Sequence, residues 1–153
     1  WDVLSAYPES FSREMRESLL YASCAAGIAI SITGTGFPHP LGYSLTLLDG
    51  IPHGAACAVF EGDFIELNES TEEGARRMSE IYAALGTTSR IMREYLPALS
   101  GVELKLTAEQ IRERVELVRN AKNYTNSRYV INESEMLGIY EKHFLIRGRK
   151  AAK

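Results

Sequence analysis

The chain has 153 residues, of which 45% are hydrophobic and 24% charged, and its formal net charge is −3. Those proportions suit one globular domain with its own core and exclude an intrinsically disordered chain. The near balance of 17 basic and 20 acidic residues gives no electrostatic reason to expect nucleic acid or an anionic membrane as a partner.

No run approaches the roughly 20 apolar residues of a membrane helix. No basic stretch followed by an apolar one opens the chain, so no signal peptide is expected. Two cysteines, Cys24 and Cys57, are too few for a disulfide framework and point to a reducing, cytoplasmic setting. The first residue is Trp1 rather than Met, so the chain is expected to be a piece cut from a longer protein.

The pattern is helical almost throughout. In residues 10–32, Met15, Leu19, Ala22, Ala26 and Ala29 recur at three- and four-residue steps. The second half, residues 22–30, is small or apolar on every side, which predicts a buried helix. Thr33–Gly34–Thr35–Gly36 stops it. Phe37–Pro38–His39–Pro40 begins a short helix to about Leu48, with proline in the first turn, and Asp49–Gly50 turns the chain. Ile51–Pro52–His53–Gly54 restarts it in the same way, for a helix running to about Asn68.

Ser70 and Glu73 have capping-box spacing ahead of a helix closed by Gly86. Thr87–Thr88 begin a short helix that Pro97 is expected to end, and residues 98–106 form a loop, partly extended. Thr107 and Gln110 form another capping box, followed by Ile111, Val115 and Val118 on one helix face. Residues 120–131 are polar and irregular; Arg128–Tyr129–Val130–Ile131 could be extended, but one such run makes no sheet. Asn132 or Ser134 caps a last helix with Met136, Tyr140 and Phe144 inward, and 147–153 is expected to be a loose basic tail. The prediction is a single all-α domain, a bundle of about six to eight helices over 1–153.

Among chemically capable residues, His39 and His53 stand out. They are fourteen residues apart, and each follows a proline where a helix begins. Imidazoles from two consecutive short helices can converge on one ion. Spacing alone leaves the pair open between metal binding and a structural role. Asp49 has i, i+4 spacing to His53, but Gly50 and Pro52 make the stretch a turn, so Asp49 is set aside as a ligand. His143 is expected to favour the C-terminal end of the last helix. Cys24 and Cys57 lie in apolar settings and are expected to be core residues. The charges of Glu109 to Arg119 read as a solvated helix face. No dinucleotide fingerprint and no Gly-x-Ser-x-Gly motif is present.

One combination is specific. Ala25–Ala26–Gly27–Ile28–Ala29–Ile30, then Gly34–Thr35–Gly36–Phe37–Pro38–His39–Pro40–Leu41–Gly42–Tyr43, then Gly50–Ile51–Pro52–His53–Gly54 resembles the C-terminal half of the iron-containing (group III) alcohol dehydrogenases. Asn126–Ser127–Arg128 and Tyr140–Glu141–Lys142–His143–Phe144 are similar to that family's last segment. The likeness is sharpest from Ala22 to Phe60.

The resemblance implies a helical domain of the dehydroquinate synthase-like type, with His39 and His53 as metal ligands. It implies Fe²⁺ or Zn²⁺, NAD or NADP bound mainly by a separate N-terminal domain that is absent here, and a small alcohol or aldehyde as substrate. Two departures qualify it. The family's earlier Asp-x-x-x-His ligand pair has no counterpart in this sequence, and Tyr43 stands where many members carry a further histidine. Residues 1–153 alone are therefore expected to hold half a metal site and to be inactive. The alternative is a non-enzymatic helical module that associates, as a homodimer for example, through an exposed apolar face.

Overall fold

The computed structural model describes residues 1–6 and 9–146. Its helices are α1 (Asp2–Ala6), α2 (Arg13–Thr33), α3 (Pro38–Asp49), α4 (His53–Ala58), α5 (Glu61–Glu69), α6 (Glu72–Leu85), α7 (Ser89–Leu99), α8 (Ala108–Val118) and α9 (Glu133–Phe144), with a 3-10 turn at Lys122–Asn126. The domain is all-α, as its sequence predicts. The one β-type pairing among the described residues is a bridge between Leu106 and Leu145. It fastens the end of α9 to the chain before α8, through Leu106 N–H to the Phe144 carbonyl at 2.8 Å and Ile146 N–H to the Leu106 carbonyl at 2.9 Å. The basic tail at 147–153 lies outside the described residues.

Local chemistry sets the boundaries. Thr107 and Gln110 form the expected capping box on α8, and Asn132 with Glu135 forms one on α9. The cap of α6 is Thr71, one residue after the predicted Ser70, because its hydroxyl accepts from Gly74 N–H. Pro97 does not end α7, which runs on to Leu99. A proline this late in a helix forfeits a single backbone bond. The predicted helix over 51–68 is two helices, broken at Val59–Phe60, and α1 had no pattern to announce it.

One core holds α3, α4, α8 and α9 together. Phe37, Leu41, Leu45, Ala56 and Phe60 meet Ile111, Val115, Met136, Tyr140 and Phe144. Burial of such side chains supplies about 1.5–3 kcal/mol each. Tyr140, fully buried, donates its hydroxyl to the Leu41 carbonyl at 2.6 Å and lies 2.7 Å from Ser44 Oγ. The inward set of α9 is therefore Met136, Tyr140 and Phe144, as expected.

Two further expectations, both about burial, fail. First, α2 contains no buried residue; Leu20, Tyr21, Ile28 and Ile32 are 63–78% exposed, and Cys24 is exposed with them. The helix packs mainly on α1. Second, the α8 charges do not all face solvent. The Arg114 side chain is 6% exposed and makes a two-pronged bond to Asp49, at 2.8 and 3.0 Å. That pair clamps α8 to the end of α3. Among the described residues, no single helix is long and apolar enough to cross a membrane.

Candidate metal centre

Two local features and one distant contact bring His39 and His53 together. Pro38 opens α3 and places His39 in its first turn. Before it, the Gly34–Thr35–Gly36 stretch is held by Asn126 Nδ2, which donates to the Thr35 carbonyl at 3.1 Å. At the far end Gly50 adopts φ +68°, a left-handed conformation that costs glycine little, and the chain folds back through Pro52 into α4.

α3 and α4 then pack closely. Gly42 permits it: a Cβ there would stand 3.2 Å from the Ala56 carbonyl group and from Cys57 N. The outcome is a separation of 3.2 Å between His53 Nε2 and His39 Nδ1. Two nitrogens sharing a tetrahedral ion at about 2.05 Å stand about 3.3 Å apart, close to this separation, which is also that of a hydrogen bond between the two rings.

The surroundings orient the rings. Thr46 Oγ1 lies 3.3 Å from His53 Nδ1, and the Tyr43 ring stacks on His53 with centroids 5.4 Å apart and planes 17° off parallel. Tyr43 thus packs on one of the two histidines. Burial, reinforced by the neighbouring His53, lowers the His39 pKa below that of ordinary imidazole. A neutral imidazole is the form that can ligate.

Cys57 is buried, as expected, but its position was not foreseen. Its Sγ is 3.6 Å from His53 Nε2, and the His39, His53 and Cys57 donor atoms all lie within 4.8 Å of one another. Its i, i+4 spacing from His53 carries that signal in the sequence. Burial, then the nearby Glu61, pushes the thiol pKa up to about 11. Glu61 itself is raised by burial to about 7 and lines, with His39, Thr35, Pro38 and Phe64, a cleft of about 210 Å³.

The remaining candidates lie elsewhere. Asp49 belongs to the Arg114 clamp. His143 does not merely sit at a helix end: its Nε2 lies 2.6 Å from Asp63 Oδ2, and Lys142 donates to Asp63 Oδ1 at 2.7 Å. Burial alone would raise the Asp63 pKa, but the bonds from His143 and Lys142 outweigh it and hold the carboxyl below the usual range. This trio ties α9 to α5.

The family model described as "Fe-containing alcohol dehydrogenase family, C-terminal" matches residues 3–117. Among curated proteins, the chain is 36% identical over 85 residues to the probable alcohol dehydrogenase EutG of Escherichia coli (strain K12), covering 56% of this chain and 21% of that protein. It is 27% identical over 97 residues to alcohol dehydrogenase 4 of Saccharomyces cerevisiae (strain ATCC 204508 / S288c), covering 63% and 25%. It is 25% identical over 147 residues to the NADPH-dependent butanol dehydrogenase of Clostridium saccharobutylicum, covering 84% and 38%. The chain thus spans well under half the length of these relatives. No solved structure matches it significantly.

Proposed function

The chain belongs to the Fe-containing alcohol dehydrogenase family through that family's C-terminal part, and on this premise we propose that it is metal-holding helical structure of an NAD(P)-linked alcohol dehydrogenase. His39 and His53 are two of the metal ligands in this reading. The observation that carries it is the 3.2 Å approach of their ring nitrogens across α3 and α4.

A divalent ion such as Fe²⁺ or Zn²⁺, held by His39 and His53, would supply Lewis acidity toward the oxygen of a small alcohol or aldehyde, and a nicotinamide would supply or accept the hydride. The chain's own residues do the positioning. Thr46 engages His53 Nδ1 and leaves Nε2 for the ion. Tyr43 stacks on the His53 ring and limits its rotation. The core beneath α3 and α4 fixes the spacing between the two donors. In this reading the whole protein supplies nicotinamide binding and further ligands, and residues 1–153 alone oxidise no alcohol.

Equilibrium dialysis of the metal-free chain against Zn²⁺ tests the site. One bound ion per chain is expected, with affinity reduced at least about tenfold in His39→Ala and in His53→Ala. Absence of saturable binding overturns the reading. For the whole protein, alcohol-dependent NAD(P) reduction that is lost in both variants is expected.

A second reading rests on α2, whose exposed apolar surface favours association. In that reading a second copy covers it. Light scattering that finds a monomer at every concentration removes this alternative.

A further inference from the structure

We propose that Cys57 is a third ligand of this centre, so that the chain presents a His–His–Cys donor set to a zinc-like ion. The proposal rests on the reading of His39 and His53 as ligands and extends it to a residue that neither the family match nor the relatives assign.

The distances carry it. At a tetrahedral ion with metal–nitrogen bonds of about 2.05 Å and a metal–sulfur bond of about 2.3 Å, nitrogen and sulfur stand about 3.6 Å apart. Cys57 Sγ is 3.6 Å from His53 Nε2, and Nε2 is also the atom that faces His39 Nδ1. The third pair, Cys57 Sγ and His39, lies within 4.8 Å, so a small movement of either side chain would bring all three donors onto one ion.

The backbone supports the arrangement. Cys57 follows His53 by one turn of α4, and its main chain is pressed against Gly42 of α3. The Sγ therefore rides on the same helix contact that sets the histidine spacing. Thr46, on the other side of His53, gives the ring its second hydrogen-bonding partner.

The chemistry then favours a borderline-soft ion. Binding replaces the S–H bond with a sulfur–metal bond and releases one proton to solvent, with no change in oxidation state. A thiolate beside two imidazoles prefers Zn²⁺ to Fe²⁺, both by ligand softness and by the general affinity order of divalent ions.

Co²⁺ titration of the full metal-free chain, followed by absorbance, tests this. The wild-type chain is expected to show visible ligand-field bands of a low-coordinate site together with a near-ultraviolet sulfur-to-cobalt charge-transfer band. Cys24→Ser keeps both. Cys57→Ser keeps the visible bands, loses the charge-transfer band and binds Zn²⁺ at least about tenfold more weakly. Visible bands that depend on His39 and His53 but come with no charge-transfer band in the wild-type chain overturn the role of Cys57 and leave the family reading standing. No cobalt absorbance at all overturns both. Because the wild-type spectrum decides by itself, a poorly folding Cys57→Ser does not blunt the test.

Discussion

Two neighbouring stretches of this chain are similarly apolar and end up in opposite surroundings. The second half of α2, residues 22–30, has small or apolar side chains all round, yet no residue of α2 is buried. α3, with two prolines, a histidine and a serine, has Pro38, Pro40, Leu41, Gly42, Ser44 and Leu45 buried. The difference lies in partners. α3 meets α4, α8 and, through Tyr140, α9, whereas α2 meets α1. An all-round apolar helix states a demand for cover, and whether the same chain meets it is a separate question. The candidate centre sits on the covered side, where packing can hold donor atoms to within tenths of an ångström.

Perturbing each region separates them. The largest effect is expected at the α3–α8 clamp: Arg114→Ala strands the Asp49 carboxylate and should cost about 3–5 kcal/mol in chemical denaturation. Next is Asp63→Asn, which removes the acceptor shared by His143 and Lys142 and should cost about 2 kcal/mol at neutral pH. Asp63 has a depressed folded pKa, so its contribution is present above the unfolded value, about 3.9, and is lost as the pH falls below that value. Thermal melts of wild type and Asp63→Asn should therefore converge in acid.

Glu61 carries the opposite sign. Its folded pKa of about 7 lies above the unfolded value, so the stability it gives is present in acid and is lost as the pH rises through 7. Glu61→Gln should match wild type near pH 4 and exceed it above pH 7, by about 1–3 kcal/mol. The smallest effect is expected on α2, where Ile28→Ser should shift stability by no more than about 0.5 kcal/mol. A loss at Ile28 as large as that at Arg114 would erase the contrast between the two regions.

The sequence carried the fold wherever a local signal existed. Thr107 with Gln110, the Ile111–Val115–Val118 face, Asn132 as a cap and the prolines before His39 and His53 all act through neighbours within four residues. What it did not carry depends on distant contacts. Arg114 reads as a surface charge because its partner, Asp49, is 65 residues away. His143 meets Asp63 across 80 residues. Cys24 reads as buried from its apolar neighbours, yet it is exposed, because exposure of α2 depends on what packs against it. At the centre, spacing and family likeness single out both histidines, whereas Cys57 reads as a small core residue because its nearness to His39 depends on the contact between α3 and α4.

The close approach at Gly42 reaches beyond packing. Two helices that touch backbone to backbone act as the jaws of a gauge, with the donor atoms mounted on opposite jaws. A side chain at position 42 would force the facing backbone to give by a few tenths of an ångström. That is the scale on which divalent ions differ in radius. If the proposed centre holds an ion, the side chain that this glycine lacks would help set which ion the gap between α3 and α4 admits.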